Sequence, residues 1–350
     1  SLKQIDQSNV KNLPLAWVSR IAAGAGAGGR GGNTIVGGEG SGQLAFGGGT
    51  TIKAGILEVD GVLYVSTPDN AWAVDARDGH EIWHYFWKTR GGTHIGNRGL
   101  GMYGNWLFME TPDNYLVSLD AKTGKEVWST KVADYKAAYY MSLAPLVAGG
   151  KVMLGTSGGE YGIRGFVAGF DPDTGKEAWR TFVVPEPGQP GSETWPRGDH
   201  WKTGGGSVWV TGTYDADTNI AYWGTGNGGP WMGDQRPGDN LYTSSVMAID
   251  ASTGAIKGHF QYHQNDSWDW DEVSPPMLID YRSNGATKKG LVNVARNGYL
   301  WWLERTTGKI NFVDARPYVR HNVFKGVDKA TGRPIVDEAR KPGTNKPVEF

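Results

Sequence analysis

A nine-residue sequence recurs along the chain and decides its fold. It reads DARDGHEIW at Asp75–Trp83, DAKTGKEVW at Asp120–Trp128 and DPDTGKEAW at Asp171–Trp179. In each copy an acidic residue and a glycine are typical of a tight turn between two β-strands. Each copy ends on tryptophan, so the same large apolar side chain is available at the same point of every repeat.

Two weaker copies extend the series. They begin at Asp250 and Glu304, and they have Gly258 and Phe312 in the place of the tryptophan. Successive copies lie about 45 to 80 residues apart, a spacing that corresponds to one four-stranded sheet per copy. One such sheet cannot bury both of its faces, whereas sheets stacked radially as blades can. The sequence therefore predicts an all-β protein, a β-propeller of four-stranded blades with tryptophans wedged between neighbouring blades.

We predict a single propeller domain over residues 1–350, with material for about six blades. The Gly-rich segment 22–50 is predicted to be a surface insertion. Residues 316–350 are poor in strand patterns and are predicted to complete no blade. Leu13–Trp17 is predicted to be one strand of a blade whose other strands lie elsewhere.

Composition excludes several classes of protein. The chain has 35 Lys and Arg against 36 Asp and Glu, so no basic surface for nucleic acid is expected. It has no cysteine, which excludes thiol chemistry and disulfides. No apolar run is long enough to span a membrane, and the opening Ser1-Leu2-Lys3 does not have the pattern of a signal peptide. The 54 glycines and 16 tryptophans are typical of many turns and large apolar wedges.

Carboxylates are concentrated in NDSWDWDE at Asn265–Glu272. Like charges this close repel each other unless a cation lies among them, and hard metal ions prefer carboxylate oxygens. In an extended segment Asp269 and Asp271 would point to the same side. The stretch therefore predicts a metal site, a general base or both, with a solvated acidic loop as the alternative.

Five motifs appear in an order that resembles a known family. They are the turn motif A-x-T-G-x-x-x-W, TSGGE at Thr156–Glu160, GTGNGGPW at Gly224–Trp231, WDWD at Trp268–Asp271 and ARNG at Ala295–Gly298. Over about residues 1–320 the chain is similar to the quinoprotein alcohol dehydrogenases, which use pyrroloquinoline quinone (PQQ) and include the large subunit of methanol dehydrogenase. The resemblance implies an eight-bladed propeller with PQQ and a metal ion on its axis. It also implies that the chain is an N-terminal portion of the usual length.

The resemblance implies four metal ligands. Glu160 and Asn227 match the family's carboxylate and amide ligands, Asp269 matches its catalytic aspartate, and Asp271 matches the extra aspartate of the lanthanide-dependent branch. Three carboxylates and an amide oxygen suit a lanthanide ion, with Ca²⁺ as the alternative. Asp269 is then also the general base that accepts the alcohol proton as hydride passes to PQQ. For Asp271 the alternative is a partner of Asp269 that does not touch the metal, and for Glu160 it is an exposed charge.

The resemblance also implies the contacts to the cofactor. Trp209 is the aromatic floor for the planar ring, Arg296 contacts the quinone oxygen, and Arg98 pairs with cofactor carboxylates. Further contacts are implied for Ser142, Ser157, Gly158, Gly159 and Ser207. Guanidinium groups bind carboxylates in a fixed geometry, which suits a planar tricarboxylate. For the two arginines the alternative is a salt bridge at the end of a blade, and for Asn227 it is a left-handed turn.

Some positions depart from the family pattern. Gly92 and Thr93 stand where many members carry adjacent cysteines, and Lys53 stands where a glutamate is common. Three scattered histidines show no ligand spacing and are predicted to be surface or structural: His94, His200 and His263.

The predicted function is oxidation of a primary alcohol to an aldehyde by a PQQ-dependent alcohol dehydrogenase. A small alcohol as substrate, a cytochrome c as electron acceptor and a periplasmic location are all implied by the resemblance. The alternative is a non-catalytic propeller scaffold that binds proteins, for which Glu160, Asn227, Asp269 and Arg296 would have no use together. A calcium-dependent sugar-binding propeller would lack Trp209 and both arginines. The sequence does not predict the oligomeric state.

Overall fold

Short antiparallel strands make up nearly all of the regular structure. The computed structural model describes residues 4–25, 34–43, 51–92, 95–320 and 323–348. These residues form 23 β-strands and seven 3₁₀-helices, and no α-helix occurs among them. The 3₁₀-helices are Val10–Asn12, Tyr135–Ala137, Gly159–Tyr161, Ser192–Thr194, His200–Lys202, Gly233–Gln235 and Glu338–Arg340.

Five blades follow one another along the chain, each built from four consecutive antiparallel strands. The first contains β2 (Leu57–Val59), β3 (Val62–Thr67), β4 (Asn70–Asp75) and β5 (Glu81–Trp87), with β1 (Ile35–Gly37) paired parallel to β5. The second contains β6 (Gly101–Tyr103), β7 (Trp106–Glu110), β8 (Tyr115–Asp120) and β9 (Glu126–Lys131). The third contains β10 (Leu146–Ala148), β11 (Lys151–Gly155), β12 (Phe166–Phe170) and β13 (Glu177–Phe182).

The remaining blades continue in the same order. The fourth contains β14 (Thr213–Asp215), β15 (Ile220–Gly224), β16 (Ser245–Asp250) and β17 (Ile256–Gln261). The fifth contains β18 (Met277–Ser283), β19 (Ala286–Val294), β20 (Tyr299–Thr306) and β21 (Lys309–Pro317). A two-stranded sheet follows, formed by β22 (Phe324–Val327) and β23 (Pro334–Val336). The prediction of an all-β chain of four-stranded blades is confirmed.

Every blade has two ends that carry different kinds of connection. Because antiparallel strands alternate in direction, the turn between the third and fourth strands lies at one end, which we call the turn end. The loop between the second and third strands and the connection to the next blade lie at the other, which we call the site end. The repeated Asp–Gly turns are all at the turn end, as at 121–125 between β8 and β9.

The repeated tryptophans join each blade to the next. Each indole N–H donates to a backbone carbonyl in the Asp–Gly turn of the following blade, which satisfies the one polar group of a mostly apolar ring. The pairs are Trp83–Ala121 at 2.9 Å, Trp128–Pro172 at 3.2 Å and Trp179–Ala251 at 3.1 Å. A Cβ added to Gly254 would lie 2.6 Å from the ring of Trp179, so only glycine lets the ring lie against that turn. The predicted wedges between blades are therefore present, with a specific hydrogen bond at each.

Apolar side chains fill the spaces between blades rather than one central region. One buried cluster joins the second, third and fourth blades through Phe108, Phe166, Phe170, Trp179 and Trp223. Separate clusters join the first blade to the second and the fourth to the fifth. This arrangement fixes the angle between neighbouring blades, and with it the relative positions of their loops at the site end.

We expect Trp179→Ala to lower the free energy of unfolding by about 3–5 kcal/mol, because it removes a large buried ring between the third and fourth blades. Trp179→Phe keeps most of the ring and loses the bond to Ala251, so about 1 kcal/mol is expected. Urea unfolding followed by far-UV circular dichroism measures both. Trp231→Ala is the matched control, because Trp231 is 45% exposed. Equal unfolding midpoints for the two alanine variants would contradict the wedge role.

The prediction of a strand at Leu13–Trp17 is wrong. The segment forms no strand, and Leu15 is 81% exposed. Trp17 nevertheless docks as the other tryptophans do, since its Nε1 donates to Ala76 O at 3.0 Å and its ring lies against Gly79 in the first blade. In this segment Trp17 docks on the turn of the first blade, and the backbone pairs with no strand.

The two predicted irregular segments both contribute strands. In the segment 22–50, residues 26–33 and 44–50 lie outside the described residues, but Ile35–Gly37 forms β1 on the outer edge of the first blade. In the segment 316–350, the sequence DKATG at Asp328–Gly332 lies between β22 and β23 and is a further copy of the turn motif that was not predicted. Asp328 Oδ1 accepts hydrogen bonds from the Ala330 and Thr331 amides, and the Phe312 ring lies against Gly332.

Candidate active site

The residues predicted for the site come together at the site end of neighbouring blades. They lie in the loops between second and third strands and in the connections between blades. Eight of them line one cavity of about 250 Å³: Arg98, Ser142, Ser157, Gly158, Glu160, Ser207, Trp209 and Asp271. Gly159 lines an adjoining cavity of about 430 Å³ that shares Glu160 with the first. Asn227 and Arg296 contact residues that line the first cavity, and Asp269 lies near enough to Asp271 and Glu160 for their charges to raise its pKa.

Hydrogen bonds connect these loops from blade to blade. Arg98 Nη1 donates to the carbonyl and hydroxyl oxygens of Ser142 at 2.8 and 2.9 Å, and the hydroxyls of Ser142 and Ser157 are 3.1 Å apart. Further along, Gly226 N donates to Ser207 O. Val208 N also donates to Thr156 O, so backbone and side-chain hydrogen bonds tie together the neighbouring loops that line the cavity.

An aromatic ring with two guanidinium groups near it forms one side of the cavity. The guanidinium carbon of Arg98 is 4.7 Å from the centre of the Trp209 ring, and that of Arg296 is 5.9 Å from it. Burial lowers the pKa of Arg98 somewhat, while the charge of Glu110 opposes that effect. A planar anion meets here both an apolar face and fixed positive charge. Neither arginine caps a blade through a salt bridge in the described part of the chain.

Asp271 holds the ring and the neighbouring loop in place. It is buried, and its Oδ2 accepts a hydrogen bond from Trp209 Nε1 at 2.7 Å while its Oδ1 accepts one from Asn227 N at 2.9 Å. Burial raises the pKa of Asp271 to about 6, although both hydrogen bonds act in the opposite direction. The aspartate therefore fixes Trp209 and Asn227 relative to each other.

Asp269 does not lie in an extended segment, so the geometric argument for its orientation is wrong. Its φ is 62°, in the left-handed region, and its backbone N–H donates to Asp266 Oδ2 at 3.1 Å. Its Oδ1 is buried and has no hydrogen-bond partner among the residues that the structure describes. Burial, together with the charges of Asp271 and Glu160, raises the pKa of Asp269 to about 7, so the carboxylates are still close enough to repel.

Glu160 and Asn227 complete the predicted ligand set in different ways. Glu160 is exposed in the 3₁₀-helix Gly159–Tyr161, where the two cavities meet. Asn227 is buried, its φ is not in the left-handed region, and its Oδ1 has no partner. The turn interpretation of Asn227 is therefore wrong.

The side chains of Glu160, Asn227, Asp269 and Asp271 have the chemistry of cation ligands, although their carboxylates do not converge as a ready-made metal site. Among the described residues, only Asp75, Asp78 and His80 place three ligand-type atoms of Asp, Glu, His or Cys within 4.8 Å of one another, and Arg77 already binds Asp75 there. At the site, unpartnered buried oxygens of Asn227 and Asp269 and mutually repelling carboxylates are what a hard ion with oxygen ligands would satisfy. The Trp209 ring and the guanidinium groups of Arg98 and Arg296 fit PQQ, which is planar and carries carboxylates.

Two cavity residues were not found from the sequence. Tyr140 lines the cavity, and burial together with the charge of Glu160 raises its pKa to about 12. Ile95 also lines the cavity, and its carbonyl accepts a hydrogen bond from Lys53 Nζ at 2.9 Å. Lys53 thus lies near the cavity through Ile95. Neither Tyr140 nor Ile95 belongs to a motif, and Thr93 and His94 lie outside the described residues.

The pKa of Asp269 predicts how pH affects the stability of the metal-free protein. The folded protein keeps a proton on Asp269 up to about pH 7, whereas the unfolded chain releases it near 3.8. Ionised Asp269 therefore destabilises the fold increasingly as pH rises through that window. We expect Asp269→Asn to raise the melting temperature at pH 7.5 and to leave it unchanged at pH 3.5, with a chelator present. An equal shift at both pH values would contradict the raised pKa of Asp269.

The sequence matches the family described as PQQ, glucose/ethanol/alcohol dehydrogenase, β-propeller domain, over residues 1–336. The chain belongs to this family. The prediction of a β-propeller and of a quinoprotein alcohol dehydrogenase family is thereby confirmed. In the part of the chain that the structure describes, no helix has the length and apolar character needed to cross a membrane.

Named quinoproteins resemble the chain over most of its length. Quinoprotein alcohol dehydrogenase PedH of Pseudomonas putida is 40% identical over 306 residues, which are 81% of this chain and 51% of PedH. The structure of quinohemoprotein alcohol dehydrogenase ADHIIG from Pseudomonas putida HK5 matches with a TM-score of 0.81 at 33% identity, covering 97% of this chain and 49% of that one. A europium-containing methanol dehydrogenase matches with a TM-score of 0.76 at 31% identity, covering 85% and 56%. The chain spans about half the length of the curated relatives it matches.

Proposed function

We propose that this quinoprotein oxidises a primary alcohol to an aldehyde with Asp269 as the general base. The observation that carries the proposal is the buried, unpartnered Oδ1 of Asp269, beside a cavity with an aromatic ring and two arginines. When bound, PQQ accepts the hydride of the alcohol and the metal ion acts as a Lewis acid on the quinone carbonyl.

Asp269 suits the role of base because of its surroundings. In the metal-free protein, burial and the neighbouring carboxylates raise the pKa of Asp269 to about 7, a range suited to accepting a proton near neutral pH. Its backbone is held by Asp266. With one carboxylate oxygen of Asp269 on the metal ion, the other would remain available to accept from the alcohol hydroxyl. The alcohol gives its hydroxyl proton to Asp269 and the hydride on its carbon to PQQ. This two-electron oxidation converts the alcohol to the aldehyde.

Arg296 is proposed to stabilise negative charge that develops on the quinone oxygen. Its guanidinium group lies above the Trp209 ring, and its backbone N–H is fixed by Glu272 Oε2 at 2.9 Å. A preorganised cation in a site that excludes water stabilises developing charge strongly. Arg98, whose guanidinium group also lies over the Trp209 ring, is proposed to bind carboxylates of the cofactor.

The remaining cofactor contacts are proposed for the polar chain along the cavity. Ser142, Ser157 and Ser207 offer hydroxyl groups, and Gly158 and Gly159 permit close approach of the backbone. Trp209 would hold the planar ring of PQQ by stacking, with its own orientation set by Asp271. The metal ion is proposed to bind Glu160, Asn227, Asp269 and Asp271, with a lanthanide favoured over Ca²⁺ by the three negative charges.

The relatives suggest the setting of the reaction. Several are quinohemoproteins by name, which supports a cytochrome c as electron acceptor. A periplasmic location and a small alcohol substrate are proposed on the same family grounds.

Reconstitution of metal-free protein tests the proposal. PQQ is added with excess La³⁺ or excess Ca²⁺, and cofactor absorbance and dye-linked oxidation of short alcohols are followed. We expect activity with La³⁺ that Asp271→Ala abolishes and that the exposed control Asp217→Ala retains. PQQ binding without turnover would contradict the catalytic assignment. Absence of PQQ binding with either ion would overturn the site and favour the scaffold.

A further inference from the structure

A buried imidazole lies between two buried carboxylates behind the proposed catalytic groups. His263 is completely buried, with Nε2 3.0 Å from Asp266 Oδ1 and Nδ1 3.4 Å from Glu272 Oε1. Asp266 and Glu272 are themselves 1% and 0% exposed. His263 was predicted from the sequence to be surface or structural, and it belongs to none of the motifs.

The first carboxylate organises the backbone that carries Asp269. Asp266 Oδ1 accepts from Trp268 N at 3.2 Å, and its Oδ2 accepts from Asp269 N at 3.1 Å and Trp270 N at 3.3 Å. Three successive amides thus converge on one side chain, which holds Asp269 in its left-handed conformation. Movement of the Asp266 carboxylate would therefore move the proposed base.

The second carboxylate organises the backbone that carries Arg296. Glu272 Oε2 accepts from Arg296 N at 2.9 Å, and its Oε1 accepts from Asn297 N at 3.1 Å. The loop between β19 and β20 in the fifth blade is therefore tied to the connection that leaves the fourth blade. Apart from this carboxylate, Asn297 is fixed by donation to Tyr262 O at 3.0 Å.

His263 joins these two arrangements. Nε2 is hydrogen-bonded to Asp266, whereas Nδ1 makes no hydrogen bond to a described residue and faces Glu272 Oε1 at the distance of an ion pair. Ionised carboxylates only accept hydrogen bonds, so this surrounding favours the doubly protonated ring. Burial alone would lower the pKa of His263, but Asp266 and Glu272 raise it to about 9. The edge of Trp270 packs against the ring with centroids 5.4 Å apart, which leaves the imidazole little freedom.

Other charges around the ring are few and their positions are known. Arg236 is buried and donates to the carbonyls of Pro230 and Asp266 and to Asn240 Oδ1, so it lies on the far side of Asp266. Its charge helps to keep the pKa of Asp266 below the ordinary value, as does that of His263, although burial acts against both. Among the described residues, Arg236 has no hydrogen bond or ion pair with Glu272, whereas His263 faces both carboxylates.

We infer that His263 is a positioning residue for the proposed oxidation: by bridging Asp266 and Glu272 it sets the separation between Asp269 and Arg296. The inference rests on the proposed function for its catalytic consequence. The bridge itself is independent of that function. A misplacement of about 1 Å in reacting groups lowers rates about 100-fold, so a side chain that touches neither substrate nor cofactor has a large effect through geometry alone.

His263→Gln tests the bridge, since an amide of similar size keeps one donor and loses the charge. His80→Gln is the matched control, because His80 also contacts a carboxylate, Asp78 Oδ1 at 2.7 Å, but is exposed. We expect kcat to fall about 100-fold in His263→Gln while KM for the alcohol and the Kd of PQQ change less than about 3-fold. A folded variant with wild-type kcat would overturn the inference, as would equal losses in kcat and PQQ affinity.

Glu272→Gln approaches the same bridge from the other side and serves if His263→Gln does not fold. The two substitutions together should cost no more than the larger one alone, because each breaks the same link. Additive losses in kcat would overturn the bridge.

Hydrogen exchange separates this inference from the proposed function, because it needs no turnover. In His263→Gln the amides of residues 268–270 and of 296–297 should exchange together at least about 10-fold faster than in the wild type. Faster exchange in only one of the two segments would overturn the link between them. If the wild type shows no alcohol oxidation, the proposed function and the catalytic role of His263 both fail, and faster exchange in both segments would still establish the bridge.

Discussion

Asp269→Asn should lower kcat for alcohol oxidation by about 10²–10⁴-fold, the usual contribution of a general base. Asparagine has nearly the same shape and keeps the backbone bond to Asp266, but its amide does not accept a proton at neutral pH. The cavity beside it remains lined by Trp209 and Arg98, so PQQ affinity should change much less than kcat. Steady-state kinetics with saturating PQQ and cation measure the loss.

The control for this variant is Asp173→Asn, which removes an exposed carboxylate from the turn end of the third blade. It should retain full activity. Because Asp269 is also proposed as a metal ligand, cation affinity must be measured in parallel by titration calorimetry. An Asp269→Asn enzyme that recovers wild-type kcat at high cation concentration would show that the residue only binds metal and is not the base.

Arg296→Ala should lower kcat by about 10²–10³-fold, the loss seen when one donor to a developing negative charge is removed. The side chain lies beside Trp209 and has no hydrogen bond to another described residue, so its removal leaves none of the described polar groups unpaired. Glu272 holds the backbone of residue 296 through its N–H, a contact that alanine keeps. Kinetics across a series of short alcohols should show a constant fold-loss, because the charge develops on the cofactor and not on the alcohol.

Arg282→Ala is the matched control, since Arg282 is an exposed arginine on β18 of the same blade. Arg296→Lys should recover part of the lost rate, because it restores the charge without the planar fork. A loss confined to KM, with kcat unchanged in Arg296→Ala, would show that the arginine binds substrate or cofactor equally in the ground state and the transition state.

The two substitutions also test different parts of the same arrangement. Asp269 and Arg296 come from different connections, one between the fourth and fifth blades and one within the fifth. If both act on one reacting centre, their combined substitution should be less damaging than the product of the single losses.

Local sequence was enough to determine the repeated unit of this protein. The D-x-x-T-G turn and the tryptophan four residues after its glycine depend on contacts within about ten residues and on one neighbouring blade. The four-stranded blades were therefore predictable, and the missed copy at Asp328–Gly332 carried the same signal. Leu13–Trp17 was mistaken for a strand because an apolar run looks alike whether it pairs with a sheet or docks one ring.

Tertiary structure alone decided how the site is arranged. The motifs named Asp269, Asp271, Asn227 and Trp209, but they did not show that Asp271 fixes two of the others or that Asp269 adopts a left-handed conformation. Tyr140, Asp266, Glu272 and His263 gave no local signal of their positions, because their partners lie in other loops or approach only after the chain has turned back. The periodicity of a sequence predicts which side chains of a strand are buried. The distance between two loops at the site end depends instead on the angle between packed blades, which the interblade contacts fix only when the whole fold forms.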